Sequence, residues 1–181
     1  MAAVIFMAVL MAIFITLLYA ALAVASKEDD LAEKVERPAP TVTETWVRYS
    51  VPLDDELQKY IERKCREYEV PSSVVIAIIG VESNFDPNAK GDMRNGFYQS
   101  FGLMQIWASE HTDRCKRLNA YNLLDPYQNV NVGIDFLAEL INYYDGDWKQ
   151  ALTFYNGSEI YAERVIAYAE CLAEGVMSFS E

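Results

Sequence analysis

From Ala2 to Ala25 no side chain carries a charge, and Leu, Ile, Val, Phe, Met and Ala fill almost every position. A helix needs roughly 20 such residues to cross the hydrocarbon core of a bilayer. This stretch therefore does not belong to a soluble core, and residues 1–25 are expected to form an N-terminal hydrophobic helix. Two readings stay open. A cleavable signal peptide has a cationic start, a shorter apolar region and a small-x-small cleavage site. Ala23-Val24-Ala25 offers the site, but no Lys or Arg precedes it. An uncleaved transmembrane signal anchor fits the length better. The flank Lys27-Glu28-Asp29-Asp30 is net acidic and does not favour retention in the cytoplasm. The bulk of the chain is expected to work outside the membrane, tethered to it or secreted.

Residues 26–49 read as a polar, flexible linker, with charges followed by Pro38-Ala39-Pro40-Thr41 and few large apolar residues. The alternative for its end is an extended arm around Trp46-Val47 that packs onto the domain. Residues 50–181 then amount to one domain of ordinary size, expected to be a monomer. The formal charge of −12 argues against a nucleic-acid partner, because affinity for phosphate backbones comes mainly from Lys and Arg. Cys65, Cys115 and Cys171 match no zinc spacing and His111 is the single histidine, so neither a metal nor another cofactor is expected. Whether any two of the thiols pair stays open, with Cys65 and Cys171, on the first and last helices, the suggested pair.

The domain reads as mostly α. Asp54 or Asp55 caps a first helix carrying Leu57, Ile61 and Cys65 at helical spacing. Pro71-Ser72-Ser73 opens a second, from Val74 to about Ser83, that is apolar on every side, as a helix buried in the domain would be. Asn84 to Phe101 reads as a long loop. Asp125-Pro126, Asp147 and Ser158 start three further helices, with no alternating run that predicts a strand.

Glu82 sits at the end of the all-apolar helix, one turn after Ile78 and Ile79. A carboxyl held among apolar groups has its pKa raised, and one still protonated near neutral pH can donate to a leaving oxygen. A glutamate that merely turns outward into water is the plainer reading of the spacing alone. The flanking residues favour the first. Glu82-Ser83-Asn84-Phe85-Asp86-Pro87-Asn88-Ala89 resembles the E-S-x-F-x-P-x-A signature of the soluble lytic transglycosylase domain. Gly102-Leu103-Met104-Gln105 resembles its G-L-M-Q motif. Asp125-Pro126 through Asn129 and Gly133 is similar to D-P-x-x-N-x-x-x-G. Phe154-Tyr155-Asn156-Gly157 matches its A-Y-N-x-G type motif, with Phe154 in place of the usual alanine. The order is that of the family, over about Leu57 to Leu172.

The resemblance implies a lysozyme-like helical domain of the goose-type lysozyme and lytic transglycosylase kind, with a cleft for the glycan strands of peptidoglycan. It implies that Glu82 protonates the glycosidic oxygen between N-acetylmuramic acid and N-acetylglucosamine. The same carboxylate then takes the proton of the muramic 6-hydroxyl, which closes a 1,6-anhydro ring. Ordinary glycosidases use two carboxyl groups, about 5–5.5 Å apart when retaining and about 6.5–9.5 Å when inverting. No partner of Glu82 is obvious in the sequence, and an intramolecular nucleophile makes one dispensable.

Supporting roles follow for the other motif residues. Ser83 is expected to polarise the reacting sugar, or else to be a polar helix end. Gly102 would let backbone approach substrate or Glu82, and Leu103 belongs to the same turn. Met104 would pack on the catalytic carboxyl or be plain core. Gln105 would serve an acetamido group, Tyr155 would hold Glu82 by a hydrogen bond, and Asn156 would contact an N-acetyl group. The loop from Lys90 to Gln99 is longer than the common family version and reads as a tolerated surface insertion, with a cleft rim as the alternative. A muramidase that hydrolyses the same bond is the rival reading. It would need Asp86 or Asp92 as second carboxylate. A membrane-anchored module that binds glycan without cleaving it is the remaining one.

Overall fold

The structure, a computed structural model, describes residues 45–175 and 177–180. The expected hydrophobic helix of residues 1–25 and most of the linker lie outside them. Among the described residues no helix is long and apolar enough to cross a membrane.

Local chemistry sets the helix starts. Asp54 accepts the Leu57 N–H at 2.7 Å and opens α1 (Asp55–Glu67). Asp125, followed by Pro126, accepts from Gln128 N–H at 2.9 Å and opens α4 (Pro126–Tyr143). Asp147 does the same for α5 (Trp148–Asn156), and Ser158 for α6 (Glu159–Glu174). Each such cap satisfies a backbone donor that the helix itself leaves orphaned. α2 (Ser72–Ser83) has no side-chain cap. Burial holds it instead: Val75 through Ile79 are all shut off from solvent, each large side chain contributing about 2 kcal/mol.

α2 runs through the centre and packs most extensively on α6, which packs on α5, which in turn meets α4. A Cβ on Gly80 would fall 2.6 Å from the Tyr168 ring, so glycine there lets α6 lie close against α2. A short helix, α3 (Thr112–Arg117), flanks α4. There Asp135 is buried and bonded by Arg114 and Arg117, each at 2.7 Å, while Arg114 also reaches Glu139.

Two features depart from the sequence reading. First, β1 (Thr45–Arg48) pairs antiparallel with β5 (Met177–Ser180), Trp46 opposite Phe179. Trp46 and Tyr49 are buried, and Tyr49 N–H donates to the buried Gln58 at 2.8 Å. The linker's last residues are thus the extended arm, and the folded unit begins before residue 50. Second, the long loop contains a small sheet of β2 (Lys90–Gly91), β3 (Ser100–Phe101) and β4 (Ile106–Trp107). Between β2 and β3, Arg94 and Phe97 exchange both backbone hydrogen bonds at 2.9 Å around Asn95-Gly96, whose φ values of 50° and 81° are those of a two-residue hairpin turn.

Candidate active site

Glu82 ends α2 beside a cleft of about 330 Å³, lined also by Asp92, Gln105, Trp107, Tyr155 and Asn156. Burial raises its carboxyl above the ordinary glutamate range, Tyr161 and Asn156 draw it part of the way back, and the charge of Asp92 pushes it up. The balance favours the protonated acid. The Tyr161 hydroxyl is buried and makes no hydrogen bond of full geometry among the described residues. The Glu82 carboxyl is the acceptor it approaches. Burial and the Glu82 charge together hold the Tyr161 phenol well above its usual pKa.

Aromatic rings carry the cleft inward. His111 packs on Phe136 at 4.5 Å, Phe136 lies 5.3 Å from Tyr155, and Tyr155 and Tyr161 are parallel within 3° at 6.3 Å. Desolvation and the neighbouring Arg114 charge push His111 down to about 4, so it is neutral at neutral pH. Its Nδ1 accepts from Arg114 at 2.7 Å, which engages it in structure rather than as a base.

One residue organises the turn that faces Glu82. Asn129, fully buried on α4, accepts from Met104 N–H at 2.8 Å. It donates to the carbonyls of Phe101 at 2.8 Å and Leu123 at 2.9 Å. Gly102 has φ +73°, and a Cβ there would meet Leu123 O at 2.3 Å and Asn129 Nδ2 at 2.5 Å. Its glycine serves this packing. Gly102 N–H also donates to Ala89 O at 2.9 Å, tying the turn to the segment that follows Glu82.

The other expected site residues divide. Gln105 and Asn156 line the cleft. The Gln105 amide is already engaged, donating to Gly102 O and accepting from Ser100 Oγ, each at 2.9 Å. Leu103 and Met104 are fully buried in the core, the Met104 sulfur occupying the space beside Gly133. Ser83 Oγ donates to Ile79 O at 3.0 Å, one turn back. In the structure the hydroxyl serves as a polar helix end. The Tyr155 hydroxyl donates to Met104 O at 2.9 Å rather than to Glu82, so it pins the turn while its ring walls the cleft. The inserted hairpin is more than a surface excursion, since Asp92 at its base lines the cleft and Arg94 lies over the Trp107 ring at 4.5 Å. Asp86 accepts from Asn88 N–H in a local turn. The thiols are all unpaired, Cys65 buried and Cys171 exposed, so the suggested bridge is absent. Among the described residues no cluster of His, Cys, Asp and Glu could hold a metal.

Residues 59–174 match the family described as Transglycosylase SLT domain. The chain belongs to that family. Among solved structures, the lytic transglycosylase Slt of Pseudomonas aeruginosa, determined as an inactive mutant, is similar to this chain with a TM-score of 0.58 and 17% identity. The likeness covers 68% of this chain and 24% of that one. The 70-kDa soluble lytic transglycosylase in complex with bulgecin A is similar with a TM-score of 0.50 and 23% identity, over 66% and 19%. The chain thus spans about a quarter or a fifth of these proteins, and at such identities the likeness is one of fold. It is the mostly helical, lytic-transglycosylase-like fold expected from the motifs.

Within this SLT domain the sequence reading missed Tyr161, and it placed Asn129 in a motif without giving it a role. Both carried a signal. Tyr161 shares the apolar face of α6 with Val165 and Ala169, where a phenol needs a partner. Asn129 interrupts the apolar face that Val130, Ile134 and Leu137 otherwise make.

Proposed function

We propose that this SLT domain cleaves the β-1,4 bond between N-acetylmuramic acid and N-acetylglucosamine in peptidoglycan, leaving 1,6-anhydromuramic ends. The observation that carries the reading is a protonation-prone Glu82, desolvated at the head of an open cleft and approached by Tyr161 and Asn156. Glu82 delivers its proton to the glycosidic oxygen as the C1–O bond breaks. The resulting carboxylate accepts the proton of the muramic 6-hydroxyl, whose oxygen bonds to C1. Bonds and protons balance without water, and Glu82 ends ready for the next bond only after it is reprotonated by the same transfer. Peptidoglycan as substrate places the work outside the cytoplasm, with the N-terminal segment as a membrane anchor or a cleaved signal.

One observation supports hydrolysis as the second reading. Asp92 lines the cleft and acts electrostatically on Glu82, where a second carboxylate could activate water. Asp92→Asn tests it: transglycosylation proceeds in that variant, and hydrolysis does not. Replacing Glu82 with Gln tests both readings against a non-catalytic glycan-binding module. The variant releases no soluble muropeptides from purified sacculi if Glu82 is the acid. Release at the wild-type rate contradicts that assignment.

A further inference from the structure

Phe154 stands where the family motif has alanine, and its ring is 60% exposed at the mouth of the cleft. It also lines a second, open groove of about 710 Å³ with Tyr144, Gln150 and Thr153. Gly157 borders both hollows, so they run into one another around the C-terminal end of α5. Aromatic rings continue along this path. The Tyr144 ring lies 6.1 Å from Phe154, and Tyr143, 75% exposed, meets Tyr144 edge-on at 4.9 Å and 84°. Asp147, Gln150 and Lys149 lie at the groove's edge, Asp147 and Gln150 bonded to each other and Lys149 paired with Glu159 and Glu163.

Two exposed rings, Phe154 and Tyr143, with the half-buried Tyr144 between them, form a water-facing aromatic patch, and such patches mark contact sites. Flat rings bordered by amide, carboxyl and ammonium groups suit a ligand with apolar faces and polar edges, as a pyranose has. The groove's volume is in the range of ligand clefts. Its junction with the cleft through Phe154 and Gly157 names the occupant, because a chain leaving the cleft on that side enters it.

We infer that this groove binds further sugar units of the same glycan strand whose scissile bond lies at Glu82, with Phe154 and Tyr144 as stacking platforms. The inference rests on the glycan-cleaving reading of the cleft and adds to it a preference for long strands over short fragments.

The test compares kcat/KM of the full chain on long purified glycan strands and on a tetrasaccharide fragment of the same strand. Wild type favours the long substrate. Phe154→Ala and Tyr144→Ala each lower the long-to-short ratio about tenfold, through KM rather than kcat, as the loss of one stacked ring would. Tyr144→Phe keeps the ring and restores the ratio. An unchanged ratio in Phe154→Ala, whose exposed side chain the fold does not need, overturns the inference while leaving the cleavage reading intact. A concentration-dependent dimer that Phe154→Ala dissolves, with the ratio unchanged, overturns it too and gives the rings to self-association. Failure of the wild type to cut either substrate removes the cleavage reading itself, and the groove's role with it.

Discussion

The phenol of Tyr161, in the first turn of α6, approaches the carboxyl of Glu82, in the last turn of α2. The pairing joins two helices that pack extensively on each other, so the geometry of the acid is fixed by the core rather than by a loop. A donor directed at a carboxylate favours its ionised form, and Tyr161 offsets part of the rise that burial imposes on Glu82.

Tyr161→Phe removes that donor and leaves the ring. The Glu82 pKa then rises further, and the alkaline limb of the kcat profile moves to higher pH. Losing a polar contact worth about 1 kcal/mol lowers kcat roughly fivefold as the positioning of the carboxyl loosens. A pH–rate series on both proteins checks the shift. A displacement of the limb to lower pH contradicts the role given to Tyr161.

Glu82 also carries a stability cost. Its folded pKa lies above that of the unfolded chain because burial penalises the carboxylate. Its contribution is fully present below the ordinary glutamate pKa and is lost as pH rises through the raised folded value. Glu82→Gln, which cannot ionise, is therefore more stable than wild type at about pH 7, and the difference narrows towards about pH 4. Thermal melts at the two pH values measure it. A glutamine variant less stable at neutral pH would mean that the carboxylate is not buried as described.

Asn129 supplies every side-chain hydrogen bond that the turn before Met104 receives from α4. Asn129→Leu leaves a buried N–H and two carbonyls without it. The expected loss is about 3 kcal/mol, seen as a lower urea midpoint with an unchanged slope. Activity falls as well, because Gln105 and the Tyr155 anchor at Met104 O belong to the same turn.

The helices were legible because their starts are local: Asp54, Asp125, Asp147 and Ser158 each cap the helix that follows them. The β1–β5 pair was not, since it joins four-residue segments from the two ends of the folded unit, too short for alternation to show. Asn95-Gly96 was a readable hairpin signal that lacked flanking strands long enough to draw notice. Within the site, Glu82 was legible from the motif residues that follow it rather than from its place on an apolar helix alone, but the partners of its neighbours were not. Ser83 turns back to its own helix because a hydroxyl near a helix end finds the carbonyl one turn earlier. Tyr155 reaches a backbone carbonyl that only the folded turn places beside it. Tyr161 comes to Glu82 through the packing of α6 on α2, which no local pattern encodes.

The central claim is that Glu82 serves as acid and then base for an attack by the substrate's own 6-hydroxyl. Mass spectrometry of the soluble products from purified sacculi, digested by the full chain, tests it directly. Muropeptides ending in 1,6-anhydromuramic acid, lighter by one water than the hydrolysis product, are the predicted result. Reducing muramic ends that take up labelled oxygen from the solvent would contradict it.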